Sequence, residues 1–254
     1  MKKRMHFTDG YLLNPTHPVT VNLIGVGGTG SQVLTALSRM SHTLIALGHP
    51  GFHVTAFDPD VITEANLGRQ LFSVSDEGLN KAVVLISRIN RFFSTSWQAV
   101  PDIYRNEPAN IIITCTDNVK SRLDIAKGLL SKNQRGYDYE RLMYWLDFGN
   151  TLNSGQVILG TFGKIQQPKS KKCIPTGKLP CVTERFDLTK IKEKDSGPSC
   201  SLAEAIEKQD LFINSTLANA GAKLLWKLFR EGMTDQAGVF LNMESMKMNP
   251  VGGV

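Results

Sequence analysis

A short, β-branched run, Val19-Thr-Val-Asn-Leu-Ile24, leads directly into Gly25-Val26-Gly27-Gly28-Thr29-Gly30. This junction restricts the fold more than any other stretch of the chain. Gly25, Gly27 and Gly30 keep the G-x-G-x-x-G spacing. That spacing permits a tight strand-to-helix turn and leaves free N–H groups at a helix N-terminus, where they suit phosphate. Apolar residues then recur at helical spacing, at Val33, Leu34, Leu37, Met40, Leu44 and Leu47, until Gly48-His-Pro-Gly51 ends the pattern. A second, alternating strand, Phe52-His-Val-Thr-Ala-Phe, stops at Asp58. Strand, glycine turn, helix, strand is a βαβ unit.

The same reading extends along the chain. Strands are expected at 97–100 and at 110–116, where Asn-Ile-Ile-Ile-Thr-Cys-Thr is nearly continuous in apolar character, as suits a parallel strand covered on both faces. A helix is expected over 118–131, and strands in Tyr-Trp-Leu-Asp-Phe-Gly-Asn (144–150) and Gly-Gln-Val-Ile-Leu-Gly-Thr-Phe (155–162). Residues 201–230 carry the longest helical pattern, and Ala237–Glu244 reads as a last strand. Residues 1–18, with Pro15 and Pro18, read as an irregular lead-in. The fold class is α/β: a doubly wound, mostly parallel, Rossmann-like sheet with a C-terminal crossover loop and a long helix.

The chain has 254 residues, 41% of them hydrophobic, which suits one large α/β domain or two small ones rather than a disordered chain. No stretch approaches the roughly 20 apolar residues of a membrane span. No apolar signal region comes after the basic start, so neither membrane nor secretion is expected. Four cysteines do not make a disulfide scaffold, and the cytoplasm is the expected compartment. The net charge of +6 is concentrated: residues 164–194 hold nine basic and three acidic residues, which leaves the rest balanced. A nucleic-acid coat would spread its charge over a folded face, so no nucleic acid is expected. The stretch is either a solvated loop or a docking surface for an acidic partner.

The site chemistry is read from Asp58 onward. An NAD site wants an acidic residue about 20 positions after the glycines, and Asp58 lies 28 positions after Gly30. Asp60, Asn66, Arg69 and Gln70 come next, with Lys81 on the succeeding helical stretch. They sit beyond the C-terminal end of a strand, where open α/β sheets bind ligands. A nicotinamide cofactor needs little cationic help, whereas a triphosphate needs a great deal, and Arg69 and Lys81 can neutralise its oxygens. Asp117, in Thr-Cys-Thr-Asp-Asn, closes another strand end and can hold Mg²⁺ against phosphate. Each of these residues taken singly also suits a surface charge or a cap, and Asp117 in particular suits a helix N-cap.

The glycine turn, Asp58-x-Asp60, Asn66-Leu-x-Arg69-Gln70, Lys81 and Cys-Thr-Asp117-Asn118-x-x-x-Arg122 together resemble the ThiF/MoeB/ubiquitin-activating-enzyme superfamily over about residues 20–125. Pro198-Ser-Cys200-Ser and Gln209-Asp-Leu-Phe-Ile-Asn, with the overall size, are similar to the ThiF family protein of the PRTRC system. The resemblance implies a single adenylation domain over 1–254. Its nucleotide-binding half would be 19–135 and its partner-binding half 136–254, with a basic crossover loop at 164–200. It implies that the C-terminal glycine carboxylate of a small ubiquitin-like, β-grasp protein attacks the α-phosphate of ATP to form an acyl-adenylate. On this likeness Gly25, Gly27, Gly28 and Gly30 cradle the nucleotide and Asp58 holds the ribose. Asn66, Arg69, Gln70 and Lys81 hold phosphates, Asp60 belongs to the nucleotide set, and Asp117 holds Mg²⁺. A homodimer is implied too.

Departures from the family pattern are visible. The segment Ser41–Gly51 is long, no C-x-x-C pair is present for zinc, and only Lys2, Lys3 and Arg4 stand where dimeric relatives supply an arginine. For a thioester step, Cys200 before the long helical pattern is preferred to Cys181, because helix N–H groups lower a thiol pKa. Cys115 reads as core. The competing readings are a catalytically silent scaffold and an NAD-dependent oxidoreductase.

Overall fold

The computed structural model describes residues 2–131, 141–190, 207 and 209–252. Its elements in chain order begin with β1 (Arg4–Phe7), α1 (Gly10–Leu13), β2 (Val19–Ile24), α2 (Gly28–Ala46), β3 (Phe52–Phe57), α3 (Lys81–Phe93) and β4 (Gln98–Val100). They continue with β5 (Ile111–Thr114), α4 (Val119–Ser131), β6 (Tyr144–Asn150), β7 (Ser154–Thr161), β8 (Ile174–Pro175), α5 (Val182–Arg185), α6 (Ile213–Glu231), β9 (Met233–Thr234), β10 (Gln236–Asn242) and β11 (Lys247–Gly252).

Eight strands form one sheet in the order β11-β10-β7-β6-β5-β2-β3-β4. From β6 to β4 every neighbouring pair is parallel. β7, β10 and β11 add antiparallel pairs at the other end. The chain winds outward from β2 through β3 to β4, then returns to the other side of β2 with β5 and β6. The winding therefore reverses between β2 and β5, where a doubly wound sheet opens a crevice.

Both faces of the sheet are covered, and the strand alternation shows it. Ile111, Ile113, Leu146, Val157 and Leu159 pack into one core with α2, α3 and α6. Ile112, Trp145 and Ile158 pack on the other face with Ile125 and Leu129 of α4 and Val182 of α5. Continuous apolar runs are what such two-sided burial requires.

Three expectations are corrected. The lead-in is not irregular throughout: β1 pairs parallel with β8 and antiparallel with β9 as a separate three-stranded sheet. The final strand continues into a hairpin, β10–β11, whose outer member is mostly exposed. The described part of the 164–200 loop carries β8 and α5, and α5 ties back to the sheet through the Arg185 guanidinium, which donates to the Gly252 carbonyl. The long helix is described from Ile213 onward. Cys200 and the start of the 201–230 pattern lie outside the described residues. The extra length at Ser41–Gly51 is the last turns of α2 and a turn in which the Ser41 hydroxyl accepts from the Phe52 N–H at 3.0 Å.

Candidate active site

A cavity of about 540 Å³ opens at the crevice. It is lined from the C-terminal ends of β2 (Gly25, Gly27, Gly28), β3 (Asp58), β5 (Cys115, Thr116, Asp117) and β6 (Phe148, Asn150). Its size falls in the range of small-molecule sites.

The glycine turn is built by close approach. Gly25 has φ +84°, and a side chain there would press on the Cys115 carbonyl at 2.9 Å. A Cβ on Gly30 would lie 1.9 Å from the Gly25 carbonyl oxygen. The helix can start under the turn only because both positions lack side chains. Asp58 fixes the turn further. One carboxylate oxygen accepts from the Val26 N–H at 2.7 Å and the other from the Asp60 N–H at 3.0 Å. Burial raises the Asp58 pKa, opposed by those two N–H groups and by Lys81. Each oxygen keeps acceptor capacity for a further donor.

Asn80 caps α3 by accepting from the Val83 N–H at 3.1 Å, while its amide donates to the Asp58 and Asp60 carbonyls. That cap sets Lys81, the first residue of α3, beside the strand end. The Lys81 ammonium reaches the Asp60 carboxylate at 2.8 Å, with side-chain exposures of 9% and 63% respectively. Arg69 donates to the Gln209 side-chain oxygen, and its Nε is buried with no partner among the described residues. Burial lowers the pKa of this guanidinium, which nevertheless stays charged. Gln70 is buried against the cavity, and its side-chain oxygen also has no partner among the described residues. Such orphaned polar atoms in a cavity wall fit a site made for a polar ligand.

Asp117 is exposed on the rim and accepts from the Asn118 amide at 3.2 Å. It is not the helix cap: Asn118 is, accepting from the Ser121 N–H at 2.7 Å. Asn66 does not line the cavity. Its carboxamide oxygen accepts from the Thr63 N–H and hydroxyl and closes the short turn Glu64–Asn66. Gly30 lies one step below the cavity lining, under the turn.

Sequence reasoning missed part of this wall. Asn214, near the start of α6, accepts from the Thr29 hydroxyl at 2.8 Å and donates to Gln209 at 3.1 Å. This chain of bonds links the start of α2 to Arg69. Gln209 and Asn214 are part of the resembling tail, but no local spacing marks them as site residues. Phe57, Ile103 and Tyr104 form an apolar wall, with Phe57 and Tyr104 edge to face at 5.1 Å.

Arg122, from the resembling block, is a buried staple. It meets the Asp147 carboxylate at 3.1 Å and donates to the Thr116 and Phe148 carbonyls, both at 2.7 Å. Asp147 also accepts from the Thr114 hydroxyl, which in turn accepts from the Trp145 indole. Burial raises the Asp147 pKa, and Arg122 opposes the shift.

Cys181 is buried, and burial pushes its thiol up to about 12. Cys115 borders the cavity but packs against the core, and burial raises its pKa well above the ordinary range. Neither has the lowered pKa of a nucleophile. Among the described residues, no group of three or more His, Cys, Asp or Glu side chains could hold a metal ion, and no helix is long and apolar enough to cross a membrane.

The family model described as ThiF family matches residues 16–252. Among curated proteins, the chain is 23% identical over 198 residues to ubiquitin-like modifier-activating enzyme 5 of Drosophila grimshawi, covering 68% of this chain and 43% of that protein. Among solved structures it is similar to MccB of E. coli, with TM-score 0.60 and 15% identity over 95% of this chain and 63% of MccB. MccB with ATP gives TM-score 0.57 at 16% identity. The chain thus spans less than two thirds of the length of each of these relatives, and the structural likeness is one of fold.

Proposed function

The chain belongs to the ThiF family, and from that premise we propose that it is an ATP-dependent adenylyltransferase acting on a substrate carboxylate. We assign as substrate the C-terminal glycine of a small ubiquitin-like, β-grasp protein. The observation that carries this reading is the convergence in one cavity of a glycine turn, an apolar wall, the half-buried Arg69 and buried Lys81 cations, and the exposed Asp117 carboxylate. The solved MccB structure with ATP adds support by its fold.

In this reading the base lies against Phe57, Ile103 and Tyr104, and Asp58 receives the ribose hydroxyls. Gly25–Gly30 offer backbone N–H groups to the phosphates, while Arg69, Gln70 and Lys81 hold their oxygens. Asp60 keeps Lys81 oriented. Asn66 acts by shaping the turn that presents Arg69. A carboxylate oxygen of the substrate attacks the α-phosphorus, and the bond to pyrophosphate breaks. No proton moves, because the carboxylate is already ionised at neutral pH. The barrier is repulsion between anions, which fixed cations lower most when charge builds in the transition state.

Asp117 fits Mg²⁺, which commonly keeps water and takes one or two carboxylates together with phosphate oxygens. Mg²⁺ bound there would supply further positive charge at the phosphates.

Nucleotide binding falls mainly to the half 19–135, with Phe148, Asn150, Gln209 and Asn214 of the half 136–254 completing the cavity wall, and partner binding falls to 136–254, with the basic crossover at 164–200 meeting the partner. Any thioester stage falls to Cys200. The active form is a cytoplasmic homodimer. We place the chain in the PRTRC branch of the family.

The test is ATP–pyrophosphate exchange with candidate β-grasp proteins, beside calorimetry with ATP·Mg²⁺ and NAD. Exchange with a partner supports the proposal. Tight NAD binding without ATP binding would overturn it, and ATP binding without exchange for any carboxylate substrate would favour the silent scaffold.

A further inference from the structure

Gln209 and Asn214 stand far along the chain from the glycine turn, yet both reach the cavity beside it. Asp210 fixes their approach. Its backbone N–H donates to the Leu152 carbonyl at 2.9 Å, and its carboxylate accepts from the Phe212 and Ile213 N–H groups at 2.8 and 3.1 Å. Gln209 is thereby anchored both to the turn between β6 and β7 and to the start of α6. Asn214 is almost wholly buried and fills the space a side chain on Gly28 would need: a Cβ there would lie 2.6 Å from the Asn214 amide nitrogen.

The hydrogen bonds fix which end of each amide faces which neighbour. The Asn214 oxygen accepts from the Thr29 hydroxyl at 2.8 Å, so its nitrogen is the end that donates to the Gln209 oxygen, at 3.1 Å. The same Gln209 oxygen accepts from the Arg69 guanidinium. Two donors, one from α6 and one from Arg69, thus converge on a single acceptor and hold the guanidinium in one place.

The kind of acceptor matters. Lys81, the other cation of the cavity, meets the Asp60 carboxylate. Arg69 meets a neutral amide and makes no ion pair among the described residues. A neutral oxygen orients a guanidinium without cancelling its charge, whereas a carboxylate does both. Keeping a half-buried cation without a counter-ion is unfavourable, and an anion entering the cavity relieves it.

We infer that Gln209 is a positioning residue for Arg69 and sets the preference of the cavity for a polyphosphate, because it aims the guanidinium while leaving the full charge to the ligand. This rests on the adenylation reading above and adds the residue that prepares its cation.

Gln209→Glu tests it, since the variant keeps the size and the acceptor and changes the charge. Calorimetry on the full chain with ATP·Mg²⁺ and with adenosine gives the readout. The ATP dissociation constant should rise roughly 10-fold or more, the scale of one hydrogen bond to a charged group. That for adenosine should stay nearly unchanged, and the melting temperature should hold or rise as Arg69 gains a carboxylate. Gln209→Met keeps the length and lacks the acceptor, so it should also weaken ATP binding and spare adenosine. If Gln209 only braces the structure, the glutamate variant binds ATP as the wild type does, and that result would overturn the inference alone. An equal loss for ATP and adenosine would overturn it too, since the residue would then shape the whole cavity. A wild-type chain that binds NAD and not ATP would overturn the adenylation reading and this inference with it.

Discussion

Replacing Arg122 by leucine removes the staple between the ends of β5 and β6. The structure sets the scale of the loss. Arg122 and Asp147 have side-chain exposures of 12% and 1%. The substitution strands a buried carboxylate and takes the donor from the Thr116 and Phe148 carbonyls. Removing one partner of such a buried pair costs about 3–5 kcal/mol. For a chain of this size that corresponds to a melting temperature lower by roughly 6–20 °C. The pH dependence makes the test specific. The folded-state pKa of Asp147 is raised. The native state therefore binds this proton more tightly than the unfolded state, and the stability due to Asp147 is lost as pH rises from the unfolded value through the folded one. Without Arg122 the folded value rises further. Urea unfolding of both proteins should show a deficit that is larger at about pH 7.5 than at about pH 5. A deficit below about 1 kcal/mol, the scale of a surface pair, or one that grows on acidification, would refute the reasoning.

Asp117→Ala should abolish pyrophosphate exchange while leaving the melting temperature unchanged, because the residue is exposed on the rim and Asn118, not Asp117, caps α4; near wild-type exchange would remove its metal role. Neutralising the exposed Lys169, Lys171 and Lys172 together should raise KM for the protein partner, most visibly at low salt, and leave KM for ATP nearly unchanged. Equal movement of both constants, or of neither, would make the segment a solvated loop. Gly30→Ala must push a Cβ off the Gly25 carbonyl, which it would approach to 1.9 Å, so it should cost at least about 1–3 kcal/mol and weaken ATP binding more than tenfold; calorimetry giving wild-type affinity would show that the turn does not form the phosphate cradle.

The parallel half of the fold was legible because its signals are local. Val19–Ile24, the glycines and the α2 pattern are contiguous, and Ile111–Thr114 is apolar on both faces as its burial demands. The strands at the margins were not legible for a related reason. β11 pairs on one side only, so little selects for alternating hydrophobic residues, and Pro250 is tolerated at such an edge. β1 is four residues long, and its partners stand at Ile174 and Met233, far away in sequence. The site divides in the same way. Asp58, Arg69, Gln70 and Lys81 fall in one motif-bearing stretch, and the cavity collects them. Asn150, Gln209 and Asn214 reach it only through the return of the chain along β6 and α6, which no spacing announces. Either side chain of Asp117-Asn118 suits the N-cap by type, and only the fold of the β5–α4 turn selects Asn118.

The three-stranded sheet around β1 has a consequence for how the chain is assembled. The Thr8 hydroxyl donates to the Leu228 carbonyl, 220 positions later, and His6 bonds to the Thr176 carbonyl, 170 positions later. During synthesis the β2–β5 portion can begin to pair while these partners are still unmade. The first strand must wait for nearly the whole chain before it has anywhere to dock. Closing so distant a contact is entropically slow, which makes β1 a late clasp whose first residues stay open to chaperones and proteases until translation passes β9.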